Sequence, residues 1–488
     1  MRLIDVLKGM ENMIADGAID QGMEIAGLTC DSRAVRPGYL FAALPGAQVD
    51  GRDFIAAAIE QGAVCVLAPV GTTAAVPVLT DGNPRLAFAR MAANFYPRQP
   101  EAIAAITGTN GKTSTASFLR QIWEHLGRKA ASIGTIGVHG AGFDEPGKLT
   151  TPDPVKLHET LGRLADAGVE CLALEASSHG LEQYRLDGVR VRAAAFTNIS
   201  RDHLDYHGTM QAYLAAKLRL FTDVVEIGGA AVVNADVPEA QDVVAVARKR
   251  GLEVITYGRA GKAIRVLERE AYADGQRLSL MVGSRNFTID LPLAGKFQAE
   301  NALCALGLAI GLDANVQSAV AALEKLQGVP GRMQHVGAAN GADVYVDYAH
   351  TPDALKNVLS ALRPHTQNKL HVLFGCGGDR DPGKRPEMGA IAAKLADRVI
   401  VTDDNPRGED AAEIRRQILA AAPQAQDIAE RHEAIVAAVA ALGQGDVLVL
   451  AGKGHEQGQI VGADVLPFDD VREAKAAIRN LQGREVKA

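Results

Sequence analysis

The sequence Thr-Gly-Thr-Asn-Gly-Lys-Thr-Ser at residues 107–114 constrains the fold of this chain more than any other segment. An apolar run at residues 102–106 precedes it, and apolar residues at helical spacing follow it over residues 119–126. The segment therefore predicts a strand, a glycine-rich loop and a helix, in that order. Gly108 and Gly111 permit backbone conformations that other residues avoid, so successive N–H groups can turn towards phosphate oxygens.

This loop predicts a nucleoside triphosphate as ligand, because the helix that begins near Lys112 directs its positive end at the phosphates. We expect the Lys112 side chain to reach the β and γ phosphates and the Thr113 hydroxyl to coordinate magnesium. The loop is two residues shorter than the general G-x-x-x-x-G-K-[ST] pattern, since Ile106 stands at the first glycine position. The loop residues assigned to nucleotide binding are Gly108, Thr109, Asn110, Gly111, Lys112, Thr113 and Ser114.

Length and composition indicate a multidomain protein of ordinary globular type. A chain of 488 residues exceeds what one hydrophobic core supports, so we expect two or three domains. The net charge of −7, with no sustained lysine and arginine block, argues against a nucleic-acid or anionic-membrane surface. Residues 1–20 lack the apolar core of a signal peptide, and no apolar stretch reaches membrane-spanning length. Five cysteines without metal-ligand or paired spacing favour a cytoplasmic location.

Weak boundaries at residues 97–100 and 328–331 divide the chain into three predicted domains, 1–100, 101–329 and 330–488. The first reads as a small α/β module whose polar loops suggest a ligand surface. The second alternates apolar strands with helical segments, which predicts a parallel sheet with phosphate chemistry at the strand C-termini. Its predicted strands are residues 103–106, 171–174, 193–196 and 230–233.

Two side chains follow predicted strands of the second domain. Glu175 comes directly after an apolar strand, where its carboxylate could bind magnesium or, alternatively, cap a helix. His203 lies in a polar loop, either as a ligand or as a hydrogen-bonding loop residue. Lys217 lies in a strongly helical segment, and the pattern alone indicates an ordinary solvated lysine.

The third domain again alternates strands and helices, with strands predicted at residues 344–346, 370–374, 399–401 and 447–450. Each strand is followed by a polar or glycine-rich loop. In an open α/β sheet such loops lie along one edge, where ligands bind. Four charged loops at that edge predict a polar, zwitterionic ligand. The predicted loops are residues 347–350, 375–380, 403–407 and 451–456.

Five motifs, taken together and in order, resemble those of the Mur ligases, the ATP-dependent amino-acid ligases of peptidoglycan precursor synthesis. They are residues 107–114, 175–180, 197–205, 331–334 and 347–353. The resemblance covers essentially the full length and includes the shortened glycine loop. It implies three α/β domains: a UDP-binding domain, a central parallel-sheet P-loop ATPase domain and a C-terminal Rossmann-like domain. Asp-Asn-Pro-Arg at residues 404–407 resembles the signature of members that use meso-diaminopimelate and UDP-N-acetylmuramoyl-L-alanyl-D-glutamate.

The resemblance implies a mechanism in which ATP phosphorylates the D-glutamate side-chain carboxylate and the incoming amine attacks the acyl phosphate. It assigns catalytic roles to Lys112, Lys217 and His203, and magnesium ligation to Thr113, Glu175, His203 and Lys217. Lys217 would be carbamylated by carbon dioxide to N6-carboxylysine, which requires a neutral amine and therefore a depressed pKa. We expect a monomer.

The resemblance also implies the substrate contacts. The UDP-substrate is expected to contact Ser32, Thr150, Thr151, Ser177, Gln183 and Arg185. ATP is expected to contact Asn301 and Arg332, with Asp347 and His350 as further candidates. The amino acid is expected to contact Arg380, Asp404, Asn405, Pro406, Arg407, Gly452 and Glu456. Ala47 and Leu149 depart from the pattern of some members, which leaves the uridine and pyrophosphate contacts open.

Arg407 carries the prediction of amino-acid choice. Diaminopimelate resembles lysine with a carboxylate added at its far end, and a planar guanidinium pairs a carboxylate through two hydrogen bonds. Alternatively, Arg407 caps a loop. The nearest competing functions are a lysine-adding ligase, which the 404–407 motif disfavours, and a folylpolyglutamate synthase-like ligase, which Thr150-Thr151 with Ser177-Ser178 disfavours. A nucleotide-dependent switch without covalent chemistry is the alternative of a different class.

Overall fold

The computed structural model describes residues 1–10, 13–15, 20, 22–46, 49–147, 149–272 and 274–485. The chain divides into two compact units, Met1–Tyr257 with Cys304–Asn315, and Gly258–Leu303 with Val316–Ala488. Helices and strands alternate in both units, so the predicted α/β class is confirmed. The three predicted domain ranges remain predictions.

A five-stranded sheet opens the first unit, with strand order β1-β5-β4-β3-β2. The pairs are parallel except β1 with β5. The strands are β1 Ile14–Ala15, β2 Gly27–Thr29, β3 Tyr39–Ala42, β4 Ala63–Pro69 and β5 Val78–Asp81. The helices are α1 Leu3–Val6, α2 Ile55–Glu60 and α3 Pro84–Phe95.

The central sheet of the first unit runs in the order β13-β12-β11-β6-β10-β7-β8-β9. Strands β6, β7 and β10 to β13 pair in parallel, and their alanine, valine and leucine side chains are buried on both faces. The strands are β6 Ala102–Thr107, β7 Ala130–Gly134, β8 Gly137–Gly140, β9 Phe143–Glu145, β10 Cys171–Glu175, β11 Val191–Phe196, β12 Val225–Asn234 and β13 Glu253–Gly258.

Helices cover the central sheet, and their starts follow local capping chemistry. Asp153 accepts a hydrogen bond from the backbone of Lys156 and Ser177 accepts one from Gly180, so each caps a helix N-terminus. The helices are α4 Lys112–His125, α5 Pro154–Asp166, α6 Ser178–Glu182, α7 Leu204–His207, α8 Met210–Arg219 and α9 Ala240–Arg250. A π-helical turn at Leu220–Val224 follows α8 directly.

The second unit contains an antiparallel group of three strands and a six-stranded sheet with order β17-β18-β22-β19-β20-β21. In the larger sheet β17 is antiparallel and the others are parallel. The strands are β14 Ile264–Tyr272, β15 Gly275–Val282, β16 Arg285–Leu291, β17 Gln334–Ala339, β18 Ala342–Asp347, β19 Leu370–Phe374, β20 Arg398–Val401, β21 Gln426–Asp427 and β22 Val447–Ala451.

A separate hairpin, β23 Gly458–Val461 with β24 Asp464–Pro467, follows the six-stranded sheet. The remaining helices are α10 Lys296–Gly311, which runs from one unit into the other, α11 Val316–Ala322, α12 Pro352–Leu362, α13 Lys384–Leu395, α14 Ala411–Leu419, α15 Arg431–Ala440 and α16 Asp470–Glu485. None of the helices in the described ranges combines the length and apolar character needed to cross a membrane.

Every strand predicted in the second and third domains is confirmed within a few residues of its observed ends. The antiparallel group β14 to β16 and the hairpin β23–β24 were not predicted. Strands β14 to β16 alternate exposed polar or charged residues with more buried ones, and the four-residue strands β23 and β24 have no fully buried residue, so none presents a continuous buried apolar run.

The pH dependence of the unfolding free energy tests the burial of His158 on α5. Its side chain is fully buried, and burial lowers the pKa of His158 from 6.5 to about 4, although the Asp187 backbone opposes this shift. The unfolded chain therefore takes up a proton near pH 6.5 that the folded chain resists until about pH 4. We expect this difference in proton binding to lower the free energy of unfolding by up to about 3 kcal/mol as the pH falls from 7 to 4.

The measurement is the pH dependence of the unfolding free energy in the parent protein and in His158→Leu. The variant should lose less stability on acidification than the parent. The exposed His125, replaced by leucine as a matched control, should leave the dependence unchanged. Parallel curves for the parent and His158→Leu would contradict the expected role of this histidine.

Candidate active site

The glycine-rich loop connects β6 to α4 at the edge where the parallel strands end. Gly111, with φ of 89°, immediately precedes α4, and Gly108 has φ of 148°. A Cβ atom at Gly108 would lie 1.9 Å from Thr197 Oγ1, so the close approach of the two segments requires glycine. The first-turn N–H groups of α4 have no intrahelical acceptors and form a ready anion site.

The segment after β11 holds this loop in shape. The backbone N–H of Thr109 donates to the Asn198 carbonyl (2.9 Å), and that of Asn110 donates to Asn198 Oδ1 (3.0 Å). The Thr197 hydroxyl donates to the Asn110 carbonyl (2.7 Å). The loop is therefore fixed before any ligand binds, which lowers the conformational cost of binding a phosphate chain.

Two lysines meet at the loop. Lys112 Nζ donates to the Gly108 and Thr109 carbonyls, both at 2.9 Å, and Lys217 Nζ donates to the Gly108 carbonyl at 2.9 Å. Lys217, on α8, is 1% exposed, and its Nζ lies 4.3 Å from the centroid of the Tyr213 ring. The sequence pattern alone indicated a solvated lysine, and the structure corrects this.

Burial lowers the pKa of Lys217 well below its usual value, and the neighbouring Lys112 ammonium lowers it further. The Asp202 carboxylate opposes both effects. A larger fraction of Lys217 is therefore in the neutral amine form than is the case for an exposed lysine. The neutral amine is the nucleophilic form.

Glu175 ends β10, directly beside Ile106 of β6 in the parallel register. Its side chain is 1% exposed; Oε1 accepts a hydrogen bond from the Thr135 N–H (2.9 Å), and Oε2 accepts one from the Thr135 hydroxyl (3.2 Å). These bonds fix a carboxylate at the sheet edge that carries the glycine loop. The alternative role of Glu175 as a helix cap is wrong, because Ser177 caps α6.

The predicted magnesium ligands are all in the first unit. Thr113 and Ser114 are buried at the start of α4. In the part of the chain that the structure describes, no three His, Cys, Asp or Glu side chains converge as a metal site. The predicted magnesium ligands, which also include the Thr113 hydroxyl and Lys217, remain a prediction.

His203 occupies the N-cap position of α7 in the left-handed conformation, with φ of 51°, and its side chain makes no capping hydrogen bond. Its Nε2 lies 3.5 Å from a carboxylate oxygen of Asp202, and its side chain is 47% exposed. The His203 ring stacks edge-on against that of His179, with centroids 4.9 Å apart. Burial, together with the charges of His203 and His207, lowers the pKa of His179 to about 4. This group of rings lies beside Tyr213 and the buried Lys217.

Five of the residues predicted to bind the UDP-substrate form one hydrogen-bonded group. The Ser177 N–H donates to Thr151 Oγ1 (3.0 Å), and Arg185 Nη1 donates to the Thr151 carbonyl (2.7 Å). Arg185 Nη2 donates to Gln183 Oε1 (2.7 Å), and Thr150 shares a hydrogen bond with Thr135 (2.9 Å). Thr151 also donates to the Glu175 carbonyl (2.9 Å), which joins this group to the carboxylate described above.

The sixth predicted residue, Ser32, begins a 3-10 turn after β2 and is partly exposed. Its neighbour Asp31 accepts hydrogen bonds from the Arg33 guanidinium at 2.9 and 2.8 Å. Leu149 is 51% exposed, and Ala47 lies outside the described residues.

The second unit contains Asn301 and Arg332. The Arg332 guanidinium lies over the Tyr348 ring, 4.7 Å from its centroid, and its carbonyl accepts a hydrogen bond from Gln298. Gln298 in turn accepts one from Asn301 (3.2 Å). Arg332 Nε is buried without a hydrogen-bond partner among the described residues. A planar cation stacked on an aromatic ring is a surface suited to a nucleotide.

Asp347 lies at the end of β18 in the same unit. Its carboxylate accepts hydrogen bonds from the backbone N–H groups of Met333 (2.6 Å) and Ala349 (2.8 Å). Burial raises the pKa of Asp347 to about 6, against the opposing effects of Arg332 and these two hydrogen bonds. His350 Nδ1 donates a hydrogen bond to the Tyr348 carbonyl (2.8 Å).

The loop at residues 404–407 follows β20 and lies against the hairpin β23–β24. Arg407 adopts φ of 51°; its N–H donates to the Ile460 carbonyl, and its carbonyl accepts from the Gly462 N–H. Arg407 Nη1 donates to the Gly378 carbonyl (2.8 Å), the one hydrogen bond of this guanidinium to the described residues. The half-buried guanidinium therefore retains N–H groups for a ligand.

The other predicted amino-acid contacts surround this loop. Asp404, Asn405 and Pro406 are buried, and a Cβ atom at Gly452 would lie 2.6 Å from an Asp404 carboxylate oxygen. Asn405 Nδ2 donates to Glu456 Oε2 (2.9 Å). Arg380 is exposed, with Nη1 3.0 Å from the Asp379 carbonyl.

Sequence reasoning missed several residues of these sites. Asn198 belongs to the 197–205 motif, but its hydrogen bonds to the glycine loop depend on strand pairing that the sequence does not specify. Lys453 follows β22 and is fully buried among the residues of the 404–407 loop. A lysine between two glycines, two residues after the end of an apolar strand, was the available signal.

Comparison with protein families gives a consistent result across the chain. Residues 24–109 match the Mur ligase family, catalytic domain; residues 106–309 match the Mur ligase middle domain; and residues 331–454 match the Mur ligase, glutamate ligase domain. The three matched ranges follow the order of the three predicted domains.

Individual relatives are similar over nearly their full length. A UDP-N-acetylmuramoyl-L-alanyl-D-glutamate--2,6-diaminopimelate ligase of Bradyrhizobium diazoefficiens is 52% identical, covering 95% of this chain and 97% of the relative. The enzyme of the same name from Caulobacter vibrioides is 53% identical, covering 94% and 96%.

Solved structures of Mur ligases are similar to this chain over nearly its full length. The structure of a UDP-N-acetylmuramoyl-L-alanyl-D-glutamate--2,6-diaminopimelate ligase has a TM-score of 0.74 and 34% identity, with 99% of each chain covered. MurF from Acinetobacter baumannii has the same fold, with a TM-score of 0.64, 20% identity, and 92% of this chain and 95% of that chain covered. The resemblance inferred from five ordered motifs is thus confirmed, and the chain belongs to the Mur ligase family.

Proposed function

We propose that this chain is an ATP-dependent ligase that adds meso-diaminopimelate to UDP-N-acetylmuramoyl-L-alanyl-D-glutamate through an acyl phosphate, in peptidoglycan precursor synthesis. The observation that carries the proposal is the similarity, at about half identity over almost the whole chain, to relatives named for this reaction. The Asp404–Arg407 loop supports the choice of amino acid, because the half-buried Arg407 guanidinium donates only to the Gly378 carbonyl among the described residues and keeps N–H groups that could pair a carboxylate.

ATP is proposed to bind the glycine loop with its phosphates against the first turn of α4. Lys112 would exchange its two carbonyl contacts for phosphate oxygens. In the second unit, the stacked Arg332 and nearby Asn301 are proposed to complete nucleotide binding. An unpartnered buried Nε on Arg332 supports this assignment, since a ligand would satisfy it.

Magnesium fits the donors of the first unit. Glu175 supplies a buried, oriented carboxylate, Thr113 a hydroxyl and His203 an imidazole, and hard oxygen ligands suit this ion. When bound, magnesium would neutralise charge between the triphosphate and the substrate carboxylate. The residues proposed to hold it are Thr113, Glu175, His203 and carbamylated Lys217.

Carbamylation of Lys217 fits its surroundings in two respects. The depressed pKa favours the neutral amine that reacts with carbon dioxide. The product is a carboxylate, so the repulsion between the two lysines becomes an attraction to Lys112. N6-carboxylysine would thereby replace a lysine whose charged form is disfavoured by burial with an anion paired to Lys112.

The nucleotide-sugar dipeptide is proposed to bind Ser32, Thr150, Thr151, Ser177, Gln183 and Arg185. The hydrogen bond that joins Thr151 to the Glu175 carbonyl would place the D-glutamate carboxylate of this substrate at the strand edge that carries the glycine loop. The half-buried cation Lys112 and the α4 N-terminus would then stabilise charge as the γ-phosphoryl group moves to that carboxylate. The amine of the amino acid attacks the acyl carbon, loses a proton, and phosphate leaves.

Diaminopimelate is proposed to bind Arg380, Asp404, Asn405, Pro406, Arg407, Gly452 and Glu456. Arg407 would pair the far carboxylate, and the acidic side chains would bind the ammonium group. We also propose a cytoplasmic monomer with domains at residues 1–100, 101–329 and 330–488. The matched family ranges support that division.

The proposal is tested by phosphate release from ATP and magnesium in the presence of the UDP-dipeptide, with meso-diaminopimelate, L-lysine or no amino acid. Release that requires diaminopimelate is expected. Release with lysine instead would retain the ligase and overturn the amino-acid assignment. Release that is independent of any amino acid would favour a nucleotide switch.

A further inference from the structure

Lys453 has no place in the proposed catalytic or substrate contacts, although it is a fully buried lysine beside the Asp404–Arg407 loop. Its Nζ donates to Asn405 Oδ1 (2.9 Å) and to the Gly458 carbonyl (2.8 Å). A lysine is almost never completely buried unless paired. Its neighbours therefore explain its position: it links the loop to the start of the hairpin strand β23.

The hydrogen bond from Lys453 fixes the orientation of the Asn405 amide. Asn405 Oδ1 also accepts from the Ile460 N–H (2.9 Å), while its Nδ2 donates to Glu456 Oε2 (2.9 Å). An amide flipped by 180° would direct its NH₂ group at the Lys453 ammonium and its oxygen at the Glu456 carboxylate. Both contacts would be repulsive, so Lys453 selects one orientation.

Lys453 also balances charge. Its Nζ lies 3.8 Å from an Asp404 carboxylate oxygen and 3.7 Å from a Glu456 carboxylate oxygen. Within residues 404–407 and 452–456, the acidic side chains Asp404 and Glu456 are matched by the basic side chains Arg407 and Lys453. Burial lowers the pKa of Lys453, while Asp404 and Glu456 oppose that shift. The nearby buried pair of Arg431 and Asp470 neutralises itself, with Nη2 and Oδ2 2.6 Å apart.

We propose that Lys453 is a positioning residue that adapts this pocket to the zwitterionic end of an α-amino acid. The inference rests on the proposed function and deepens it. A pocket with balanced charge suits a group that carries one ammonium and one carboxylate, as the far end of diaminopimelate does. Without Lys453, the carboxylates of Asp404 and Glu456 would lose the ammonium that lies within 4 Å of both, and the excess negative charge would favour a lone ammonium such as that of lysine.

The test is Lys453→Met, which keeps the length of the side chain and removes its charge. We expect kcat/KM for meso-diaminopimelate to fall about 30-fold or more, mainly through KM, as when one partner of a buried charge pair is removed. The KM for ATP should stay within about twofold. The ratio of kcat/KM for diaminopimelate to that for L-lysine should fall about tenfold. The exposed Lys394, replaced by methionine, is the matched control and should change none of these values.

A double variant, Lys453→Met with Glu456→Gln, separates charge balance from simple structural support. It removes one acid and one base together, and the amide oxygen of the introduced glutamine can still accept from Asn405. We expect the double variant to recover the discrimination against lysine about tenfold relative to Lys453→Met. A merely structural lysine predicts no recovery.

Two results would overturn the inference. One is an equal loss of diaminopimelate and lysine use in Lys453→Met; the other is a double variant no more selective than the single one. Both comparisons require a parent protein that uses diaminopimelate. If the parent itself releases no phosphate with either amino acid, the proposed function fails first.

Discussion

Replacing Arg407 with alanine is expected to lower kcat/KM for meso-diaminopimelate by about 100-fold to 1,000-fold and leave the KM for ATP within about twofold. The expected decrease in kcat/KM follows from the loss of a bidentate pair between a guanidinium and a carboxylate in a partly buried pocket, which costs about 3–4 kcal/mol. The Arg407 side chain is held by one hydrogen bond to the Gly378 carbonyl, so its loss should not disturb the glycine loop in the other unit. Steady-state kinetics with each substrate varied in turn provide the measurement.

Arg407→Lys sharpens this test, because it retains the charge and loses the planar fork. It should recover a minor part of the activity with diaminopimelate. The exposed Arg472→Ala is the matched control. Equal losses in diaminopimelate use and ATP binding would mean that Arg407 supports the fold of the loop and does not recognise the amino acid.

Replacing Lys217 with methionine is expected to lower kcat at least about 100-fold, with the KM for the UDP-substrate little changed. The residue touches the glycine loop through the Gly108 carbonyl and is proposed to become a carboxylate, so its loss removes a charge needed for phosphoryl transfer. The parent enzyme in buffer depleted of carbon dioxide should lose activity and regain it with bicarbonate. Lys217→Met should show no response.

Carbon-13 NMR after addition of labelled bicarbonate separates a carbamate from a structural role of the lysine. The parent protein should show a carbamate resonance that Lys217→Met lacks. The exposed Lys249→Met is the matched control and should keep both the resonance and the activity. An active parent without a carbamate signal would contradict the assignment of N6-carboxylysine at this position.

The sequence predicted those parts of the site that depend on local chemistry. The glycine loop was predictable because its strand, its two positive-φ glycines and its helix start lie within a short segment. Glu175 was predictable because parallel strands end at one edge, and its register beside Ile106 confirms the placement at the loop edge.

Residues whose environment depends on tertiary packing were not predictable in the same way. Lys217 lies on a short helix, and its burial depends on how α8 packs, with Tyr213 one turn earlier on the same face. The spacing of Tyr213, Ala216 and Leu220 was the available signal that this face is internal. The burial of Lys453 was not predictable because two of its partners, Asn405 and Asp404, come from a loop distant in sequence.

The most direct test of the acyl-phosphate ligase mechanism follows one oxygen atom of the substrate carboxylate. The UDP-dipeptide is labelled with oxygen-18 in its D-glutamate side-chain carboxylate and incubated with ATP, magnesium and meso-diaminopimelate. Mass spectrometry then reads both the nucleotide product and the released phosphate. An acyl-phosphate ligase predicts a product carrying diaminopimelate through an amide bond, and one labelled oxygen in the phosphate. Unlabelled phosphate without any amide product would contradict the ligase assignment and identify ATP hydrolysis alone.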